Sequence, residues 1–105
     1  MEVTFETEAL FKLYTEGVST DRVTRLQPHI IKRYQKAIDY LRDAPSIESL
    51  WQIKSLHYEK LKGNKKERSS VKINDQYRLE FIVTLNNEKP ILTICHIMEI
   101  SNHYQ

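Results

Sequence analysis

An α+β domain is the fold this sequence predicts: an N-terminal strand and helices, followed by an antiparallel meander sheet whose one face the helices cover. Three observations point to it. The apolar residues recur at helical spacing between Glu8 and Arg42, and after Ser69 the period changes to two. The chain has 105 residues, with 40% hydrophobic and 29% charged side chains, which suits one compact domain spanning residues 1–105. No internal repeat, low-complexity segment or linker divides it.

The elements follow in order. Val3 and Phe5 alternate with Glu2, Thr4 and Glu6, the pattern of a short strand. Ala9, Leu10, Leu13 and Tyr14 then mark a helix from Glu8 to Tyr14, and Gly17 is placed to end it. From Pro28 to Arg42 the stripe Ile30, Ile31, Tyr34, Ala37, Ile38 and Leu41 opposes Lys32, Arg33, Gln35, Lys36, Asp39 and Arg42, which is an amphipathic helix. Pro28 suits its first turn, so the preceding residues form either a separate turn or a kinked extension. Ser46 to Ile53 reads as a short third helix, with Leu50, Trp51 and Ile53 expected to pack inward.

Val71 and Ile73 begin the two-residue period. An Asn74-Asp75-Gln76 turn follows, and Tyr77, Leu79, Phe81, Val83 and Leu85 fill one face of a longer strand. Asn86 to Pro90 is a second turn. Ile91 to Ile100 is more uniformly apolar, as expected of a strand near the middle of a sheet. Parity then sends Ser70, Lys72, Arg78 and Glu80 to the face away from the helices.

Charge is segregated along the chain. The net charge is only +2, yet Lys54 to Lys72 holds seven Lys or Arg against two Glu. A basic loop of this kind attracts a polyanion through counterion release and also serves as an ordinary solvated connection. Cys95 is the only cysteine and lies in the apolar run ILTICHIMEI, so it reads as a buried, inert thiol in a reducing compartment. No apolar run is long enough to cross a bilayer, and the start MEVTFETEAL lacks a basic n-region and an h-region, so a cytoplasmic protein is expected. His29 and His96 have no reason to be catalytic; His96 is expected to be packed with a hydrogen-bond partner. The scattered His and Cys show no metal-ligand spacing, so neither a metal nor a cofactor is expected.

The stretch LHYEKLKGNKKERSSVKINDQYRLEF supplies a further clue. Leu56-His57, then Leu61-Lys62-Gly63 with a basic turn, then a strand, then Tyr77-Arg78 opening the next strand, resemble the HigB branch of the RelE/ParE toxin superfamily. The early Leu13 to Gly17 and the terminal Asn102-His103-Tyr104 also sit where that branch has similar residues. The resemblance implies a RelE-like fold and an mRNA endonuclease that acts on the translating ribosome without a metal. It implies attack of a ribose 2′-hydroxyl on the adjacent phosphodiester.

That reaction wants a proton acceptor, a proton donor and cations around a phosphorane. By resemblance His57 and either His103 or Tyr104 are the acid/base candidates, with Arg78 on the reacting phosphate. Lys60, Lys62, Lys65, Lys66, Arg68 and Lys72 are the RNA-binding candidates, Arg68 having the fork best suited to a phosphate. The implied partners are a HigA-like helix-turn-helix antitoxin, the ribosome and mRNA, with operator DNA contacted only through the antitoxin complex, and no membrane. Two departures from the branch stand out. Glu67, Arg68 and Ser69 replace a Gly followed by aromatics, and the tail order Asn102-His103-Tyr104 replaces Asp-Tyr-His. The alternatives are a ParE-like gyrase poison, which needs no acid/base pair, and a noncatalytic RNA-binding or assembly domain, for which the basic loop suffices.

Overall fold

The computed structural model describes residues 1–88 and 92–102. The order is β1 (Glu2–Phe5), α1 (Glu8–Thr15), α2 (Pro28–Asp43), α3 (Ile47–Trp51), a 3₁₀ turn (Lys54–Leu56), β2 (Glu59–Lys60), a second 3₁₀ turn (Gly63–Lys65), β3 (Arg68–Lys72), β4 (Tyr77–Asn86) and β5 (Leu92–Asn102). The strands form one sheet in the order β1-β5-β4-β3-β2. The β3-β4-β5 meander is antiparallel as expected, and β5 is interior, between β1 and β4. β1 runs parallel to β5, so the sheet as a whole is mixed. A parallel pair cannot be joined by a hairpin, and here everything from α1 to β4 lies between the two strands.

Helix boundaries follow local chemistry. Thr7 caps α1 by accepting from the Leu10 amide at 3.1 Å, and Gly17, at φ 67°, supplies the left-handed residue just past its end. Pro28 occupies the first turn of α2. Residues 18–27 take the separate-turn alternative: Asp21 accepts from the Thr24 amide at 2.8 Å and from its hydroxyl at 2.7 Å. The last turn of α2 lacks a glycine, and its carbonyls are met instead by the Met1 amino group, which donates to Arg42 at 2.8 Å and Ala44 at 2.9 Å.

α1 and α2 cover one face of the sheet. Leu10, Leu13, Tyr34, Ile38, Leu41 and Leu50 interlock there with Val71, Leu79, Phe81, Cys95 and Ile97. Tyr34 is fully buried and donates its hydroxyl to the Leu10 carbonyl at 2.8 Å, tying α2 to α1. Cys95 is buried, and burial pushes its thiol up to about 11. His96 is held between Thr4 Oγ1 at 2.6 Å and Glu6 Oε2 at 2.7 Å.

Four expectations need correction. Trp51 does not pack inward; it is 60% exposed, because a helix of five residues turns only Leu50 fully to the core. Leu85 is also exposed, since the β4-β5 hairpin continues past the last β1 partner, Ile94, and overhangs the helices. The basic stretch after His57 is not simply a loop: Glu59 and Lys60 pair with Ser70 and Ser69 as an edge strand. Ser70 and Glu80 do face away from the helices, yet both are buried, because the segment from β2 to the second 3₁₀ turn folds over them. The start of β5 placed at Ile91 and the turn residues Lys89 and Pro90 lie outside the described residues.

Candidate functional site

Register assembles the site on the face opposite the helices. Arg78 stands beside Lys72 on β3 and Ser101 on β5, and Glu80 stands beside Ser70 and Glu99. The Arg78 side chain is only 13% exposed. Its Nε donates to Ser70 Oγ at 2.9 Å and its Nη2 to the His57 backbone carbonyl, and Glu59 Oε2 lies 3.8 Å from Nη2. Two hydrogen bonds from one guanidinium to separate elements fix its plane. Glu59, Lys62, Lys65, Ser101 and Asn102 complete a concavity of about 300 Å³ around it.

Beside Arg78 lies a four-membered ionic cluster. Lys65 Nζ donates to Glu80 Oε2 at 3.1 Å and to Glu99 Oε1 at 3.0 Å, while Arg68 Nη1 donates to Glu80 Oε1 at 3.1 Å and to Glu99 Oε1 at 3.0 Å. Burial pushes the Glu80 carboxyl up, but hydrogen bonds from Ser101, Lys65 and Arg68 outweigh it and hold the carboxyl below its usual range. The Lys65 ammonium is raised by its bonds to Glu99 and then Glu80. Lys65 and Arg68 thus carry internal ion pairs, which reduces what they offer a polyanion.

The other sequence-derived residues are distributed unequally. Lys62 lines the Arg78 concavity, and Lys60 and Lys66 are exposed nearby on the same segment. Lys72 is 2.8 Å from Asp75, whose carboxyl that bond lowers, and it lines a different concavity with Arg33, Lys36 and Tyr40. His57 is exposed in the left-handed region at φ 44°. Its carbonyl joins Arg78, whereas the residue lines a neighbouring groove with Trp51, Ile53, Lys54 and Tyr58. His103 and Tyr104 lie outside the described residues.

Several residues at the site were not singled out from sequence. Glu59 enters through β2, a pairing of two residues too short to show a period. Ser101 follows from β5 parity once the register with Arg78 is known. Arg22 and Arg25, on the turn between α1 and α2, line a second concavity of about 490 Å³ that shares Lys65, Ser101 and Asn102 with the first. The two make one continuous polar trough, and the spacing Asp-Arg-Val-Thr-Arg around a turn was the only local signal for its far end.

A mixed sheet with helices on one face and a guanidinium-floored trough on the other is an arrangement suited to an anionic ligand. A family model described as the RelE-like toxin HigB of type II toxin-antitoxin systems matches residues 3–93, and the chain belongs to that family. It is therefore a type II toxin, and membership implies an antitoxin partner. No curated protein sequence matches the chain. Among solved structures, a YoeB/ParE toxin from Agrobacterium tumefaciens is similar in fold, with a TM-score of 0.60 at 13% identity, covering 99% of this chain and 100% of that one. Among the described residues no helix is long and apolar enough to cross a membrane.

Proposed function

We propose that this toxin is a metal-independent endoribonuclease that cleaves mRNA on the translating ribosome. The single observation that carries the reading is Arg78, fixed by Ser70 and His57 at the floor of a polar concavity whose rim holds Lys62 and Glu59. A pentacoordinate phosphorane gains negative charge, and a preorganised guanidinium with Nη1 unused by those bonds stabilises that charge without reorganising. Lys62 adds a second cation. Glu59 is the exposed carboxylate of the concavity, since Glu80 is buried and committed to its ion pairs.

In the proposed step Glu59 takes the proton of the 2′-hydroxyl as the 2′-oxygen bonds to phosphorus. The bond from phosphorus to the 5′-oxygen breaks, and a tail residue, His103 or Tyr104, returns a proton to that oxygen. The products are a 2′,3′-cyclic phosphate and a free 5′-hydroxyl. His57 orients Arg78 through its carbonyl. The neutralising partner is proposed to be a HigA-like helix-turn-helix protein whose complex with the toxin binds operator DNA, and the site of action the cytoplasm.

Transcript ends mapped after induction provide the test. Cleavage confined to translated frames, and retained in EDTA with purified protein on programmed ribosomes, is the expected result. Intact transcripts with accumulating DNA breaks would establish a gyrase poison instead. Neither effect would leave a noncatalytic RNA-binding domain.

A further inference from the structure

The sequence holds one tryptophan, and the fold leaves it outside. Trp51 is 60% exposed at the end of α3, against Tyr58, with ring centroids 6.3 Å apart. Tyr58 is fixed in turn by its hydroxyl, 2.8 Å from Ser69 Oγ, and by Phe81, 6.4 Å away between centroids. Trp51 is therefore braced on one side and open on the other. The groove it lines, about 540 Å³, is completed by Ile53, Lys54, His57 and Tyr58 and contains no carboxylate.

Two features decide what fits this groove. Its apolar surface is confined to Trp51, Ile53 and Tyr58, because Gln52, Lys54, Ser55 and Lys60 around them are polar and exposed, so a hydrophobic protein partner would find only a three-residue patch. One flat aromatic face beside an ammonium matches one nucleotide, with the base on the ring and the phosphate by the cation. The groove and the trough are separate concavities that meet at one residue of the chain: His57 lines the groove while giving its carbonyl to Arg78, so a strand passing Arg78 reaches the groove within a nucleotide or two. We infer that Trp51 is a stacking platform for a nucleobase of the single-stranded RNA whose backbone crosses Arg78. This rests on the ribonuclease reading and adds to it the place of a neighbouring base.

Because Trp51 is the sole tryptophan, its emission reports this site alone. The probe is a single-stranded 2′-O-methyl adenine hexamer, which cannot supply a 2′-hydroxyl, compared with an abasic hexamer of the same charge. Binding is followed independently by anisotropy of fluorescein-labelled forms. The adenine hexamer should quench Trp51 saturably and the abasic one should not. Trp51→Ala should weaken the adenine hexamer on the order of tenfold and leave the abasic one unchanged, with Trp51→Phe keeping most of the affinity. The exposed position allows Trp51→Ala to fold, which a thermal melt checks. Saturable anisotropy with constant emission and unchanged Trp51→Ala affinity would overturn the platform while transcript cleavage upheld the ribonuclease. Loss of antitoxin binding in Trp51→Ala, with hexamer affinity intact, would make the ring a protein contact and also overturn it. No hexamer binding together with no transcript cleavage would sink both readings.

Discussion

Arg78 and His57 are joined side chain to backbone: the guanidinium on β4 donates to the carbonyl of a residue held in the left-handed region just before β2. The same guanidinium donates to Ser70 on β3 at 2.9 Å, so one side chain braces β4 against two other segments. Arg78→Ala should lower the single-turnover cleavage rate by ~10² or more with little loss of RNA affinity, as for other charge-stabilising groups. Arg78→Lys should not restore the rate, because an ammonium cannot hold both partners and still offer a donor in a fixed plane. Equal rates with weakened binding would reduce Arg78 to a phosphate holder.

Glu59 is 63% exposed and 3.8 Å from Arg78 Nη2. If it accepts the 2′-hydroxyl proton, Glu59→Gln should cost ~10² in single-turnover rate without weakening RNA binding, a split a structural role would not produce. RNA affinity should rise slightly as a negative charge leaves the trough. An unchanged single-turnover rate in Glu59→Gln would exclude Glu59 as the base.

The Glu80 carboxylate is 5% exposed and is shared by Lys65 and Arg68. Glu80→Gln should cost about 2–4 kcal/mol in urea unfolding at neutral pH, less than for a deeply buried pair because the cations retain contact with water. Its carboxyl is held below the usual range in the folded state, so the stability it contributes is full above the unfolded value of about 4.3 and is lost as pH falls through the lower folded value. The gap between wild type and variant should therefore close in acid. A constant gap down to pH 3 would show that the ion pairs are not its source.

Lys62 and Arg68 should separate in salt titrations. Lys62, exposed on the trough, should lower the slope of log affinity against log salt by about one unit when changed to Ala. Arg68, 25% exposed and paired twice, should lose more stability than slope. The opposite ranking would mean that RNA displaces Glu80 and Glu99 from Arg68.

Deleting Asn102 to Gln105 should abolish toxicity, since Asn102 lines the trough and His103 and Tyr104 follow it in the chain. His103→Ala should behave like the deletion and Tyr104→Phe should keep most activity, a histidine being the better proton donor near neutral pH. A fully toxic deletion would confine the chemistry to the residues around Arg78.

Alternation along β4 told which side chains leave the helix face, because side-chain direction in a strand is local: Tyr77, Leu79 and Phe81 on one face, Arg78 and Glu80 on the other. For the same reason the α2 stripe and the places of Pro28 and Gly17 were legible, since each depends on residues within a turn or two. Only the tertiary structure decided what covers each face. Folding the β2 segment back over the sheet buried Glu80, committed Lys65 and Arg68 to it, and brought Glu59 beside Arg78. Pairing β1 with β5 was equally remote in sequence. Trp51 turned outward because Leu50 had already taken the inward position of a very short helix, a competition for space that no period within the segment records.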